Sequence, residues 1–294
     1  MIQKSYDNTP TLYVVPTPIG NLEDITLRGL KILKTVEVIF AEDTRTTNIL
    51  LKHYNINKKI YASHLYNEDK MITKELKYLK KNKNIAIVSD AGTPIISDPG
   101  LILVKEAIKE GYNVVCLPGP TAIIPAVVMS GLVGGAFTFY GFLNSKESKR
   151  KKELEILKNN IYPLVFYEAP HRLIKTLNNM LEIFGNRKIS IVREISKKFE
   201  EVTRDNIENI LNNVKTIKGE IVIVVEGNKE QSNFENLSIM DHIKLYLEDM
   251  PPKEAIKKVA KERKIPKSEV YREYIDNKWL TLIINKRNQV IKWN

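Results

Sequence analysis

Three short turns in the first half of the chain combine glycine and proline: Pro16-Thr17-Pro18-Ile19-Gly20-Asn21, Ser89-Asp90-Ala91-Gly92-Thr93-Pro94 and Leu117-Pro118-Gly119-Pro120-Thr121-Ala122. Glycine lets a backbone approach a bound molecule with no Cβ in the way, and proline holds the turn in one shape. Any one of these turns reads equally well as a strand stop followed by a helix start. Three at equivalent places, each after a short apolar run, point to a pre-formed pocket walled by main-chain N–H and C=O groups. Two further turns carry ionisable residues: Ala41-Glu42-Asp43-Thr44-Arg45 and Glu168-Ala169-Pro170-His171-Arg172.

Other chemistries leave no trace in the sequence. No G-x-G-x-x-G follows the first strand, where Gly20 stands alone, and no G-x-x-x-x-G-K-[ST] occurs. That disfavours a nicotinamide dehydrogenase and a P-loop NTPase. G-x-S-x-G is missing, which disfavours an α/β-hydrolase. His53, His64, His171 and His242 are scattered and Cys116 is the single cysteine, so no metal site and no disulfide are expected.

The elements that must position the turns follow from hydrophobic patterning. Thr11–Val15, Val36–Phe40, Ile85–Val88 and Asn113–Leu117 read as strands, continuously apolar as expected when both faces are buried. Between them, Leu27, Leu30 and Leu33, then Ile72, Leu76 and Leu79, mark helices. Asp24 or Thr26 caps the first, and Asp98-Pro99 reads as a cap with proline at the first helical position. The alternation predicts a parallel sheet covered by helices, the α/β class. Residues 131–141 read as a crossing into a second domain and residues 144–152 as a charged loop. Pro163–Tyr167, Lys188–Arg193 and Glu220–Val225 are strands. Leu173, Leu177, Met180 and Phe184 face one way on a helix that Gly185 stops, and Ile207, Ile210, Leu211 and Val214 mark another.

The chain has 294 residues, room for about two domains and a small module. Polar residues 227–236 read as a linker, Pro251-Pro252 opens one helix, and Ser268 caps a second after a turn at Lys264-Ile265-Pro266-Lys267. That pair resembles a helix-turn-helix and equally fits a plain helical hairpin. The expected division is 1–120, 121–230 and a basic helical module at 237–294. Net charge is +11, and residues 251–294 hold 12 Lys/Arg against 5 Asp/Glu. Such an excess in a short tail fits a polyanionic partner, although a Lys-rich composition bias gives the same numbers. No apolar run approaches a membrane span and residues 1–10 are polar, so no membrane segment, no secretory signal and a cytoplasmic location are expected.

Taken in order, VPTPIGNLEDIT (15–26), AEDTR (41–45), SDAGTPIISDPG (89–100), LPGPTA (117–122), FYGF (139–142) and YEAPHR (167–172) resemble the ribosomal RNA small subunit methyltransferase I family, within the tetrapyrrole-methylase-like class. The resemblance runs across residues 11–226, and the basic tail is similar to that family's C-terminal module. It implies two α/β domains of the tetrapyrrole methylase type (a class III methyltransferase fold), with S-adenosylmethionine (SAM) in the cleft between them. It implies 2′-O-methylation of cytidine 1402 in bacterial 16S rRNA, a homodimer and no metal. Carried over by motif, the SAM positions are Pro16, Thr17, Pro18, Ile19 and Gly20, then Asp90, Ala91, Gly92 and Thr93, then Thr121 with Ala122, and Glu168. The first turn departs from the glycine-rich form of the tetrapyrrole enzymes.

Methyl transfer from a sulfonium is an in-line displacement, and placing the ribose oxygen can supply roughly 7–11 kcal/mol of the barrier reduction. A 2′-hydroxyl is a weak nucleophile, so a nearby base helps. The candidates are Glu42, Asp43, Glu168 and His171, with Glu168 and His171 expected beside the methyl group. Arg45 and Arg172 are expected on RNA phosphates. The competing readings are a tetrapyrrole or protein methyltransferase of the same class, and a non-catalytic RNA-binding protein.

Overall fold

The computed structural model describes residues 2–277 except 6, 65–67, 215–217, 229–236, 248–249 and 264. Residues 229–236 of the linker expected over 227–236, Lys264 of the expected turn and the last part of the basic tail, 278–294, lie outside the described residues. The chain divides into two compact units, 1–228 and 229–294.

In the first unit, β1 (Thr11–Val14), β2 (Val38–Ala41), β3 (Lys59–Ala62), β4 (Ile85–Val88) and β5 (Asn113–Cys116) form a sheet in the order β3-β2-β4-β1-β5. Every pairing in it is parallel. β1, β2 and β4 are buried along their whole length, as continuously apolar strands require. The covering helices are α1 (Leu27–Thr35), α2 (Thr44–His53), α3 (Glu68–Lys80) and α4 (Leu101–Lys109). The Thr26 hydroxyl accepts from the Gly29 amide at 2.9 Å, which makes Thr26, not Asp24, the cap of α1.

The strand order has a direct consequence. β4, β1 and β5 are neighbours, so the three Gly/Pro turns that follow them leave the same edge of the sheet side by side. β2 flanks β4 and adds the Glu42-Asp43 turn to that row.

A second, mixed sheet runs β6-β7-β10-β8-β9, from β6 (Thr138–Phe142), β7 (Leu164–Glu168), β8 (Lys188–Arg193), β9 (Glu201–Asn206) and β10 (Ile221–Val225). β6 and β7 are parallel and the other pairs antiparallel. α5 (Ile123–Ser130) packs Ala126 and Val127 on this sheet through Val165, Val192 and Val222, with Ile19 and Ala122 at the cluster's edge. On the sheet's other face, α6 (Glu147–Leu157), α7 (Leu173–Phe184) and α8 (Ile207–Asn213) bury Leu154, Leu177, Met180 and Ile210 against Phe166 and Ile223.

Three local expectations are corrected. Residues 147–157 form a helix, not a loop; it is charged on most faces and anchors only Arg150 and Leu154. Residues 201–206 form an edge strand that their polarity hid. Asp98-Pro99 do not cap α4: Gly100 occupies the cap with φ +120° and no side-chain bond, and Asp98 is turned elsewhere.

The second unit contains α9 (Ile239–Leu247), α10 (Pro252–Arg263) and a helix over residues 267–277. Ile243, Ala255, Ile256, Val259, Ala260 and Val270 form its core. The last helix begins one residue before Ser268, within the usual scatter of helix ends. With three helices around one core, the module is more than a two-helix hairpin. Lys253, Lys257, Lys258, Lys261 and Lys267 remain on its surface.

Candidate active site at the carboxyl ends of the strands

The Gly/Pro turns are tied to one another. Thr17 and Gly92 exchange both backbone hydrogen bonds, each 2.9 Å, in a two-residue antiparallel bridge. The Thr17 hydroxyl donates to the Ser89 carbonyl at 3.1 Å. The third turn joins through the Thr93 hydroxyl, which donates to the Pro120 carbonyl at 3.3 Å. Gly119 lies so close to the first turn that a Cβ there would sit 2.8 Å from the Pro16 Cβ. Gly92 adopts φ +80°, a conformation only glycine takes without cost. The three turns form one wall.

A cavity of about 450 Å³ opens against this wall. The first sheet contributes Ile19, Ala91, Gly92, Thr93, Ile96, Ser97, Asp98, Thr121 and Ala122. The second contributes Phe142 from the end of β6, and Tyr167, Glu168, Ala169 and Pro170 from the end of β7. Ile195 follows β8, and Gly219 to Val222 lead into β10. β10 runs against β7 and β8, so its first residues reach the edge where theirs end. Of the positions expected at SAM, Ile19, Ala91, Gly92, Thr93, Thr121, Ala122 and Glu168 line the cavity. Pro16, Thr17, Pro18, Gly20 and Asp90 stand outside its lining and shape the turns instead.

The acidic turn beside this wall is self-locked. The Asp43 amide donates to Asp90 Oδ1 at 3.2 Å, and the Asp90 amide donates to Glu42 Oε2 at 3.5 Å. Asp43 caps α2 by accepting from the Arg45 amide, and its Oδ2 is 2.6 Å from Arg45 Nη2. The Arg45 hydrogen bonds hold the Asp43 carboxyl down to about 2. Loss of water pushes Glu42 and Asp90 above the usual carboxylate range. Asp98, in the cavity lining, is pushed up to about 6, first by burial and then by the negative charges of Glu42 and Asp90. The Tyr167 hydroxyl is raised to about 12, chiefly by burial.

The second-sheet turn is organised around Glu168, whose side chain is 0% exposed. Oε1 accepts from the Ala169 amide at 2.8 Å, and Oε2 accepts from the Thr176 hydroxyl on α7. Arg172 Nε stands 3.2 Å from Oε1 without hydrogen-bond alignment, so that pair is electrostatic. Arg172 Nη2 donates to the Leu143 carbonyl at 2.6 Å. The guanidinium expected on phosphate therefore turns inward and ties the turn to the end of β6. His171 is exposed and outside the cavity lining. Arg45, with its side chain 89% exposed, faces solvent.

Sequence reasoning missed Asp98 as a lining residue, although it lies in the SDAGTPIISDPG run; its neighbour Pro99 drew attention to a helix start. It also missed Phe142, which ends the FYGF run, Tyr167, which opens YEAPHR, and residues 219–222; only the strand order brings them together here. No group of three or more His, Cys, Asp or Glu suited to a metal ion occurs among the described residues. No helix among them is long and apolar enough to cross a membrane.

Comparison with known proteins places this geometry. The pattern of the family described as Tetrapyrrole (Corrin/Porphyrin) Methylases matches residues 11–211. The Ribosomal RNA small subunit methyltransferase I of Bacillus subtilis is 46% identical over 272 residues, covering 90% of this chain and 93% of that protein. The protein of the same name from Haemophilus influenzae is 41% identical, covering 86% of this chain and 92% of its own. Among solved structures, the methyltransferase CobJ superposes with a TM-score of 0.55 at 16% identity, over 74% of this chain and 94% of that one. Diphthine synthase superposes with a TM-score of 0.55 at 15% identity, over 74% and 90%. These two likenesses speak for the fold alone.

Proposed function

Because this chain belongs to the tetrapyrrole (corrin/porphyrin) methylase family, and within it to the ribosomal RNA small subunit methyltransferase I family, we propose that its cavity holds SAM and presents the methyl group to the 2′-hydroxyl of cytidine 1402 in 16S rRNA. The protein is an rRNA methyltransferase; cofactor, target nucleotide and residue roles are what we propose. The observation that carries the proposal is the wall of three turns joined by the Thr17–Gly92 bridge and the Thr93–Pro120 bond.

The cavity suits the cofactor. Its volume falls in the range of small-ligand sites, and its lining combines apolar side chains with Gly and Ala positions where main chain is reachable. When bound, SAM supplies an electrophilic methyl group on a sulfonium. Pro16 to Gly20 fix the first turn, Asp90 to Thr93 and Thr121-Ala122 offer backbone groups, and Glu168 holds the opposite wall in shape.

Arg45 on the rim and the basic module, 237–294, are assigned to rRNA phosphates, which give affinity without reading sequence. The division into 1–120, 121–230 and 237–294 is kept as a functional one, with cofactor between the first two. A homodimer working in the cytoplasm, where small subunits are assembled, completes the reading. The test maps ribose methylation of small-subunit rRNA in a strain lacking this gene. Loss of the mark at cytidine 1402, restored by the gene, is expected; an unchanged mark overturns the assignment.

A further inference from the structure

Two aromatic side chains line the cavity, Tyr167 and Phe142. Tyr167 is half-buried, with the ring centroids of Phe139 and Phe142 at 5.1 and 5.4 Å from its own. Phe142 ends that row of three rings, and it is 53% exposed. A lone exposed Phe on a protein surface needs no explanation. This one belongs to the lining of the site, and the chain on both sides of it is shaped to put it there.

A regular strand would turn Phe142 away. β6 pairs Thr138 with Leu164 and Phe139 with Val165; one residue is then skipped, and Gly141 pairs with Phe166 and Phe142 with Tyr167. Tyr140 is the extra residue of a β-bulge. Without it, two-residue alternation would put Phe142 on the face opposite Phe139, the face that carries Phe166. With it, Phe139 and Phe142 share one face and both reach Tyr167. Gly141 makes the bulge at φ +88°, a conformation that favours glycine. A Cβ there would stand 3.5 Å from Ser97 Oγ, an ordinary contact, so the glycine serves the backbone's shape rather than a shortage of space. Bulges beside active sites re-aim a side chain in this way.

The chain after Phe142 is fixed as firmly. Arg172 Nη2 donates to the Leu143 carbonyl at 2.6 Å. Arg150, 2% exposed, donates from Nη1 to the carbonyls of Asn144 at 3.3 Å and Ser145 at 3.1 Å. The Asn144 amide donates to Glu153 Oε2 at 2.8 Å. A bulge on one side and two arginines on the other thus hold a ring that is left half in solvent. On the first wall Ile96, 43% exposed, lines the same cavity. Its neighbours Ile95 and Ser97 are held at φ +79° and +72°, and Ser97 is the residue that reaches Gly141. Both walls therefore offer apolar surface to whatever enters.

We propose that Phe142 is the platform on which the base of the target nucleotide stacks, so that the ribose is set against the methyl group; the inference deepens the rRNA methyltransferase reading above and rests on it. A nucleotide that enters a cavity gives up the faces of its neighbours, and an aromatic side chain replaces one of them. A ring already fixed in place does so with little ordering cost. Every base has a π-face, so Phe142 sets where the nucleoside sits and leaves the identity of the base to other contacts. Lys146 and Lys149, exposed on the loop after Phe142 and the first turn of α6, are placed to meet the phosphates on either side.

The test compares the full-length wild type with Phe142→Ala, Phe142→Leu and Phe142→Tyr. The RNA is small-subunit RNA with either cytidine 1402 or an abasic ribose in its place, built in by ligating a synthetic segment. Three readouts are taken: RNA affinity with S-adenosylhomocysteine in place of SAM, so that no turnover occurs; single-turnover methylation of the cytidine RNA; and SAM affinity by calorimetry. Phe142→Ala is expected to bind the cytidine RNA about 5- to 150-fold more weakly, the range of one base–aromatic stack. Its single-turnover rate is expected to fall as well, because the ribose is no longer placed. Phe142→Tyr is expected within about threefold of wild type and Phe142→Leu between the two. SAM affinity is expected within about threefold of wild type in all three. On the abasic RNA, wild type and Phe142→Ala are expected to bind equally. An alanine defect that persists undiminished on the abasic RNA, full restoration by leucine, or cytidine-RNA affinity within about twofold of wild type overturns the stacking assignment. So does a loss of about tenfold or more in SAM affinity for Phe142→Ala, which would make the ring a cofactor contact. Wild type that binds SAM yet methylates no small-subunit RNA overturns the rRNA reading itself, and this assignment with it.

Discussion

The cavity has two walls made by different means. On the first sheet the wall is main chain: turns after three adjacent parallel strands, fastened by backbone bonds between Thr17 and Gly92 and by a hydroxyl from Thr93. On the second sheet the wall is held by side chains, with Glu168 gathering Ala169, Thr176 and Arg172 around one buried carboxylate. The first wall depends on shape and tolerates many side chains, but not an added Cβ at a crossing point. The second depends on a single charge and tolerates no deletion there.

The largest effect is therefore expected at Glu168. Glu168→Ala leaves the Arg172 guanidinium, 19% exposed, without its counter-charge, and leaves the Thr176 hydroxyl and Ala169 amide unpaired. Breaking a buried pair from one side costs about 3–5 kcal/mol. Urea unfolding of the full chain measures it. Glu168→Gln keeps an acceptor and is expected to lose less, roughly 1–3 kcal/mol. A loss below about 1 kcal/mol for the alanine variant would show that the second wall is not organised by this carboxylate.

The mirror experiment adds one carbon to the first wall. In Gly119→Ala the new Cβ meets the Pro16 ring, Cβ at 2.8 Å and Cγ at 3.0 Å, and a proline ring cannot swing aside. The turns must part. Overpacking of this size costs about 1–3 kcal/mol, but the site should suffer more than the fold. SAM affinity by calorimetry is expected to fall at least about tenfold, equal to about 1.4 kcal/mol. Unchanged affinity would mean that the spacing of the first and third turns does not set the pocket.

This contrast also explains what the sequence discloses. The first wall is legible because its signals are local: Gly and Pro after an apolar strand mark a rigid turn wherever the strand ends up. What the sequence does not state is the order β3-β2-β4-β1-β5, which makes three separate turns adjacent. The second wall is only half legible. YEAPHR stands out as a turn with ionisable residues, yet nothing local says that Arg172 points inward to Glu168 and Leu143 rather than outward to phosphate. That choice is made by α7 and β6, the latter some 30 residues earlier in the chain. α6 and β9 escape for a related reason. Their sequences, ESKRKKELEIL and EVTRDN, are mostly polar, and what holds them is a buried Arg150, a single Leu154 and an edge pairing. Asp98 is hidden because Asp-Pro before an apolar run suits a helix start locally, and only the packed fold supplies the strain that turns it away.

A smaller effect tests whether Asp98 belongs functionally to the first wall. Its carboxyl, raised from 3.8 to about 6, disfavours folding when ionised. The folded-state value lies above the unfolded one. The stability this group contributes is therefore full below the unfolded value and is lost as pH rises through the folded value, between about 4 and 6. Asp98→Asn lacks that loss. Its Tm is expected to match wild type near pH 4 and to exceed it by a few degrees at pH 7. A variant less stable than wild type at pH 7 would mean that the ionised carboxylate supports the segment between β4 and α4 rather than opposing its burial.

The smallest effect on the fold is expected at Arg45, and it separates the two arginines that the sequence sets on phosphate. Arg45 is 89% exposed and, among the described residues, pairs with Asp43 on its own turn, so the wall does not depend on it. Arg45→Ala should leave Tm unmoved. The cost should appear in RNA binding, because a guanidinium free to leave a surface partner can exchange it for a phosphate. Removing one phosphate-binding side chain lowers the slope of log affinity against log salt by about 0.7–0.9. Titrating small-subunit RNA at several salt concentrations reads that slope directly. Arg172→Ala should do the reverse, lowering stability, since its guanidinium holds the Leu143 carbonyl and faces Glu168. An Arg45→Ala slope equal to wild type would move the phosphate-binding role off the rim of the first wall and leave it to the basic module, 237–294.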